Sequence, residues 1–285
     1  GRAVDRFKAF TTPNPNNYYY DARQPEWAVR IFQHLFKSLE FRNRLAARYS
    51  TYKATAFSPE LTLGYLDALV AERQNDIGKD FYRWNLHGGD ETGSVARWKN
   101  DSNVIPFLRT FLQESPARSL DNMRDFYKSN YDGTIPSNYS KITFETDAEM
   151  GWLDVSGAEI RREFYSDQMV SGWESDYIRT LPIEITAHPL DGYEFVRFEV
   201  TAAGGDVDEK TDASFTLVPA AQYSRYTVKA VFQLIPDPTE LQNAIEDYTG
   251  LTQGDYTDES WNAFQKALED AAAVLKRTDL SQDIL

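Results

Sequence analysis

Cysteine is missing from all 285 residues. Its absence excludes disulfides, thiolate metal sites and cysteine nucleophiles. Histidine is scarce: only His34, His87 and His188 occur, and none has a second histidine three or four residues away, as a helical zinc motif requires. Positive charge is also short, with 30 Lys and Arg against 44 Asp and Glu, a net charge of −14 and a pI near 4.7. So acidic a chain repels phosphate backbones, which argues against nucleic acid as a partner. No basic cluster is present to grip anionic lipid. No run approaches the ~18 apolar residues of a membrane span. The opening GRAVDRFKAF has no apolar signal core. Gly1 reads as an expression scar or a cut inside a longer protein, so secretion stays open.

What is present suffices for packed cores, since 41% of residues are hydrophobic and 14% aromatic. The length suggests two domains, or three small ones. Residues 1–24 include TTPNPNNYYYDARQP, too rich in Pro and Asn for a helix. They read as a surface arm, its tyrosines packed on the body that follows. From Pro25 the period becomes helical, with Trp27, Ile31 and Leu35 at i+4 spacing and Phe32 and Phe36 beside them. Ser38 is a candidate cap for a helix that buries Phe41, Leu45, Tyr49 and Tyr52. Ser58-Pro59-Glu60 is a strong start signal, and Leu61, Tyr65, Leu66 and Leu69 follow it at helical spacing. Gly88-Gly89 to Gly93 reads as a turn. A helix through Val104, Ile105, Leu108, Phe111 and Leu112 is expected next, then a separate short one with Leu120, Met123 and Phe126.

The stretch from Glu26 to Tyr127 also carries a recognisable order of motifs. It opens EWAVRIFQHLFKSLEFRNRLAARY, which contains F-R-x-x-x-x-x-R-Y. It continues FSPELTLGYLDALVAE, an isolated R-W pair at Arg83 and Trp84, a second Trp at 98, and VIPFLRTFLQESPARSLDNMRDFY. This order resembles the C-terminal part of the CotH (spore coat protein H) family of kinase-like spore-coat and surface proteins. The resemblance implies that the family's nucleotide- and metal-binding residues precede this stretch, where only 25 residues stand here. It therefore implies the helical C-terminal lobe of a kinase-like fold without its catalytic segment. Site residues for catalysis, cofactor or metal are accordingly not assigned in this chain. ATP and a divalent metal are implied only for an intact protein of this type.

Tyr131 to Tyr139 contains Asp-Gly, Pro, Ser and Asn and reads as a linker. The period then changes from 3.6 to 2, in KITFET from Lys141, LPIEITA from Leu181, YEFVRFEV from Tyr193 and YTVKAVF from Tyr226. A small antiparallel all-β domain is expected over 139–234. Its segments GWLDVSGAEI (151–160), IEITAHPLDGYEFVRF (183–198) and VKAVF (228–232) resemble the internalin B-type bacterial surface repeat, with Phe198 where a Trp is usual. Pro236-Asp-Pro238 breaks the chain again. One helix begins at Thr239 and another after Tyr256, with Thr257 as cap and Trp261, Phe264, Leu268 and Leu275 as its stripe. The phrase Y-T-x-E-S-W-x-x-x-x-x-A-L-x-x-A resembles the FIVAR module, a three-helix unit of bacterial surface proteins. Ser281 to Leu285 would only begin its third helix. The expected architecture is multidomain α+β in three bodies: helical 1–136, all-β 139–234 and an incomplete three-helix bundle over 239–285.

Sites for chemistry are few. His87-Gly-Gly-Asp-Glu-Thr-Gly-Ser lacks the lysine and spacing of a phosphate loop and reads as an interhelical connection. Asp206-Val-Asp208-Glu-Lys-Thr-Asp212 hints at calcium, but Lys210 stands where an oxygen ligand belongs, so a solvated loop is expected. Arg83, Trp84 and Trp98 are the candidate core positions. Trp84 is expected to be buried, and Arg83 to pair with Glu26, Asp67 or Glu72 or to order the kinase-like core. The tail from 239 to 275 has eight acids and one base, which reads as a solvated helix face or a surface for a basic partner. Three functions compete. One is a fragment of a CotH-type protein whose intact form phosphorylates proteins, this chain not being catalytic alone. The second is a non-enzymatic cell-surface structural or adhesive protein of spacer modules. The third is a carbohydrate-binding β-domain using Trp152, Trp173 and surface tyrosines. The first two imply protein partners at the cell or spore surface and an extracellular location.

Overall fold

The computed structural model describes residues 26–85 and 90–277, without the side chains of 26–30 and 91. The expected N-terminal arm, the histidine–glycine connection at 87–89 and the third-helix stub at 281–285 lie outside the described residues. The chain is α+β. Five helices come first: α1 Glu26–Leu35, α2 Leu39–Ala54, α3 Pro59–Arg83, α4 Glu91–Asn100 and α5 Ile105–Asn130. Their starts follow the sequence. Ser38 Oγ accepts the Phe41 amide and Ser58 Oγ accepts the Leu61 amide, each satisfying a donor that the first helical turn leaves open. Two expectations fail locally. Gly93 lies inside α4, because Asp90 Oδ1 accepts its amide at 2.9 Å and caps the helix. Residues 105–130 form one helix, not two, and Pro116 sits inside it. Proline removes one helical hydrogen bond, a cost of about 3 kcal/mol. Burial of Leu120, Met123 and Tyr127 beyond it, each at most 3% exposed, keeps the second half aligned.

The period-2 segments build a sandwich. Strands β1 Tyr139–Glu145, β4 Gly172–Ile178, β6 Tyr193–Ala202, β7 Val207–Lys210 and β9 Arg225–Leu234 form one sheet in the order β4-β1-β9-β6-β7. Strands β2 Gly151–Val155, β3 Ala158–Ile160, β5 Ile183–Pro189 and β8 Ser214–Leu217 form the other, in the order β3-β2-β5-β8. A short helix, α6 Asp167–Ser171, leads into β4. Alternation decides which side chains face inward. Ile142 and Phe144, Leu153 and Val155, Ile183 and Ile185, and Phe198 and Val228 are all fully buried between the sheets. Phe198 fills its place against Phe195 and Phe215, at ring distances of 4.7 and 4.9 Å. One strand pair departs from the antiparallel expectation: β1 runs parallel to β9, with Ile142 opposite Tyr226. Residues 207–210, expected within a solvated loop, are strand β7 at a sheet edge.

Helix α2 closes the sandwich at the β4 edge. Ala47 belongs to the sandwich core, and Ile178 of β4 belongs to the helical core with Phe36, Leu120 and Tyr127. Polar ties follow the same seam. Ser175 Oγ donates to the Ser50 carbonyl at 2.6 Å, Thr51 Oγ1 and the Tyr177 hydroxyl lie 2.9 Å apart, and Lys53 meets Asp176 at 2.5 Å. An edge strand with open amides and carbonyls is an aggregation liability, and here a helix covers it. Two further helices, α7 Thr239–Thr249 and α8 Asp258–Val274, form a hairpin in which no residue is buried.

Candidate functional site

The F-R-x-x-x-x-x-R-Y motif of α2 makes most of the ties between its neighbours. Phe41 meets Phe36 edge-on at 5.4 Å. The Arg42 guanidinium donates to the Phe36 carbonyl at 2.5 Å and lies 3.9 Å from the Tyr131 ring centre. Arg48 donates to the Gly157 carbonyl on the β2–β3 turn, and the Tyr49 hydroxyl donates to the Pro116 carbonyl at 3.2 Å. One helix thus ties the end of α1, α5 and the sandwich together through four residues of the motif, Phe41, Arg42, Arg48 and Tyr49.

The candidate core positions behave otherwise. Trp84 ends α3 and is 64% exposed, contrary to the burial expected. Its indole donates back to Asp80 Oδ1 at 3.0 Å, and the Arg83 guanidinium lies 5.4 Å from its ring. The pair caps its own helix end instead of entering a core. Arg83 is exposed, Asp67 is taken by Arg109, and Glu72 bonds Arg73 at 3.1 Å. The Glu26 side chain lies outside the described residues. Trp98 on α4 is half-buried. Sequence spacing could not show that Trp84 stays largely exposed at the end of α3.

The two tryptophans proposed for carbohydrate are also committed elsewhere. Trp173 is 6% exposed and stacks on Phe144 at 4.8 Å and 16°. Trp152 stacks on His188 at 4.0 Å and 10°, with the Arg161 guanidinium 5.7 Å from its ring. Trp173 is thus closed to a sugar ring, and half-buried Trp152 has one face taken by His188. In the acidic 206–212 segment Lys210 bonds Asp208 at 2.8 Å. Among the described residues no group of three His, Cys, Asp or Glu side chains is placed to hold a metal ion. No helix among them is long and apolar enough to cross a membrane.

Two cavities flank the seam where the α2–α3 corner meets the sandwich. One, of 310 Å³, is lined by Ser58, Glu60, Gln168, Met169, Trp173 and Glu174 among others. Glu174 there is bonded to Lys141 at 3.1 Å and lies 3.4 Å from Arg225. The other, of 370 Å³, is lined by aromatic rings from both sides, including Tyr52, Phe57, Phe164 and Tyr165, with Arg48 beside them. Sequence reading missed this second cleft, because its walls come from residues about 100 positions apart that only the docking of α2 brings together. Tyr177, at the same seam, is 1% exposed. Burial pushes the Tyr177 hydroxyl above its ordinary range, opposed by hydrogen bonds to Thr51 and Trp173.

No family model, curated protein or solved structure matches the chain.

Proposed function

We propose that the chain is the helical portion of a CotH-type spore-coat or cell-surface protein followed by two surface modules. The intact protein would be kinase-like and phosphorylate protein substrates with ATP and a divalent metal, and this chain would not turn over alone. Besides the motif order, the observation that carries the reading is the apolar surface left open on the helical segment. Ile31, Leu35, Leu39, Tyr65, Leu69, Leu108 and Phe111 are between 40 and 63% exposed, and the 25-residue helix α3 buries only Gly78. A helix in a finished globular fold buries an apolar stripe, and open patches of this kind mark contact surfaces. The helical segment is therefore suited to pack against further protein, as a lobe packs on the rest of a kinase-like fold.

The test has two arms. The 285-residue chain, incubated with labelled ATP and magnesium or manganese, should incorporate no phosphate; robust incorporation would overturn the fragment reading. A longer chain, extended upstream to include a Lys-bearing strand and an Asp-x-Asp-type metal motif, should bind ATP and show slower amide exchange in α1 and α3. Unchanged exchange there would favour the second reading, a non-enzymatic surface scaffold. That reading is supported by the α7–α8 hairpin, an acidic unit with no buried residue that is hung on the sandwich after Pro236-Asp-Pro238.

A further inference from the structure

The 370 Å³ cleft supports an inference that does not depend on the family resemblance. One wall is Tyr52 and Phe57, at the α2–α3 corner. The other is Phe164 and Tyr165, in the loop after β3. Phe57 and Phe164 are 45% and 60% exposed, so two apolar rings border one cavity, with the Arg161 guanidinium 4.7 Å from the Phe164 ring. Small-molecule sites of this size concentrate where two structural units meet, with apolar walls and a few placed polar groups.

The charged groups lining the cleft are Arg48 and Glu159, and Arg44 lies behind Gly157 outside the lining. Arg48 lines the cleft and spends one donor on the Gly157 carbonyl; Arg44, one turn earlier on α2, spends its Nε on the Ser156 carbonyl at 3.3 Å. Both guanidiniums lie within 3.4 Å of the point where a Cβ on Gly157 would sit. An arginine carries five N–H donors, so most of this pair's capacity is unused. Among the described residues neither guanidinium is paired with a carboxylate. The nearby acids are engaged elsewhere: Glu159 is 3.1 Å from Arg161, and Asp154 accepts the Gly157 amide at 2.6 Å. A planar guanidinium fork can take a carboxylate through two parallel hydrogen bonds. The net charge of −14 opposes anions at long range, so ring contacts must supply much of the affinity.

We propose that this cleft binds a ring that carries a carboxylate, with the ring against Phe57 and Phe164 and the carboxylate on Arg48 and Arg44. Such a group is found in a hexuronic acid or in an aromatic acid. The full chain, labelled with nitrogen-15, would be titrated separately with D-glucuronate and with phenylacetate. Glucose and 2-phenylethanol are the uncharged controls, and acetate is the ringless one. At least one ring carboxylate should give saturable shifts of the Gly157 amide and the Arg44 and Arg48 Nε–H signals. Saturation by glucuronate alone would identify a saccharide ligand, and by phenylacetate alone an aromatic acid. Phe164→Ala and Arg44→Gln alter exposed side chains and leave the core intact, and each should weaken binding about tenfold. The proposal falls if neither ring carboxylate saturates, if acetate or the uncharged rings bind equally well, or if both variants bind like the parent.

Discussion

The Tyr177 hydroxyl lies 1% exposed at the seam between helix and sandwich. Burial raises its pKa above 10.0 despite the opposing hydrogen bonds to Thr51 and Trp173. Burial also raises Tyr127, opposed by Arg42, and Tyr139, where the hydrogen bond to Asp121 adds to the rise. In an unfolded chain these phenols ionise near pH 10, whereas the folded protein holds the protons longer. The stabilisation is therefore complete below about pH 10 and is lost as pH climbs from there toward the folded values. The urea midpoint should fall above about pH 10, and Tyr177→Phe should fall less steeply there. An identical slope in the variant would show that Tyr177 does not carry this dependence. At the same scale, Trp84→Ala should change stability by no more than about 0.5 kcal/mol, since exposed side chains rarely matter more. Phe144→Ala, which empties a fully buried site under Trp173, should cost about 3–5 kcal/mol. Paired urea titrations decide both; a large loss in Trp84→Ala would mean that its face has a partner in solution.

Glycines fix two elements by close approach. A Cβ on Gly151, at the start of β2, would lie 2.5 Å from the buried Phe232 ring and 2.8 Å from the His188 carbonyl. Gly151→Ala should therefore destabilise by about 1–3 kcal/mol, the range for an overpacked core. Gly157 turns the β2–β3 hairpin at φ +85°, after Ser156 at φ +55°. A Cβ there is strained and would press on Arg44 at 2.9 Å. Gly157→Ala should cost about 1 kcal/mol and speed amide exchange in α2, because it disturbs the turn that Arg44 and Arg48 hold. Exchange confined to the hairpin would show that the turn does not anchor α2. The α7–α8 hairpin is the opposite case. Tyr248, Trp261 and Phe264 touch at 5.4–6.3 Å, yet neither helix buries a residue. Short helices owe most of their stability to tertiary packing, so amides 239–275 should exchange fastest among the helices and those of α2 slowest. Strong protection of 256–275 would mean that this stripe has a partner surface.

For the whole molecule, the seam changes where the chain should come apart. Sequence composition points to two weak places, 132–137 and 236–238. At the first, Ile135 is 2% exposed, and Ser137 accepts from Arg124 at 2.9 Å and Lys128 at 3.1 Å. The helical segment and sandwich also share core residues across it. Limited proteolysis should therefore cut first at 236–238, releasing the α7–α8 hairpin and leaving helices and sandwich as one fragment. A first cut at 132–137 with separation of the halves would show that the seam is weaker than its packing implies.

Much of the local structure was legible in the sequence. Ser38, Ser58 and Thr257 cap their helices because a hydroxyl one residue before a helix meets its open amides whatever the surroundings. The switch from period 3.6 to period 2 falls at β1, because alternation decides which face of a strand is apolar. Local chemistry sets these features, so local sequence reports them. What depends on which surfaces meet was not legible. Trp84 and Trp173 are the same residue type, yet one is 64% exposed and the other 6%. Helix α5 continues through Pro116 because a core holds both halves. The parallel β1–β9 pair and the cleft beside Arg48 join residues roughly 80 to 120 positions apart. Sequence alone determined the helix caps at Ser38, Ser58 and Thr257 and the switch from helical to strand period at β1, which arise from contacts within a few residues. Tertiary structure alone decided which apolar faces are covered and which clefts open, because burial belongs to pairs of surfaces and not to one segment.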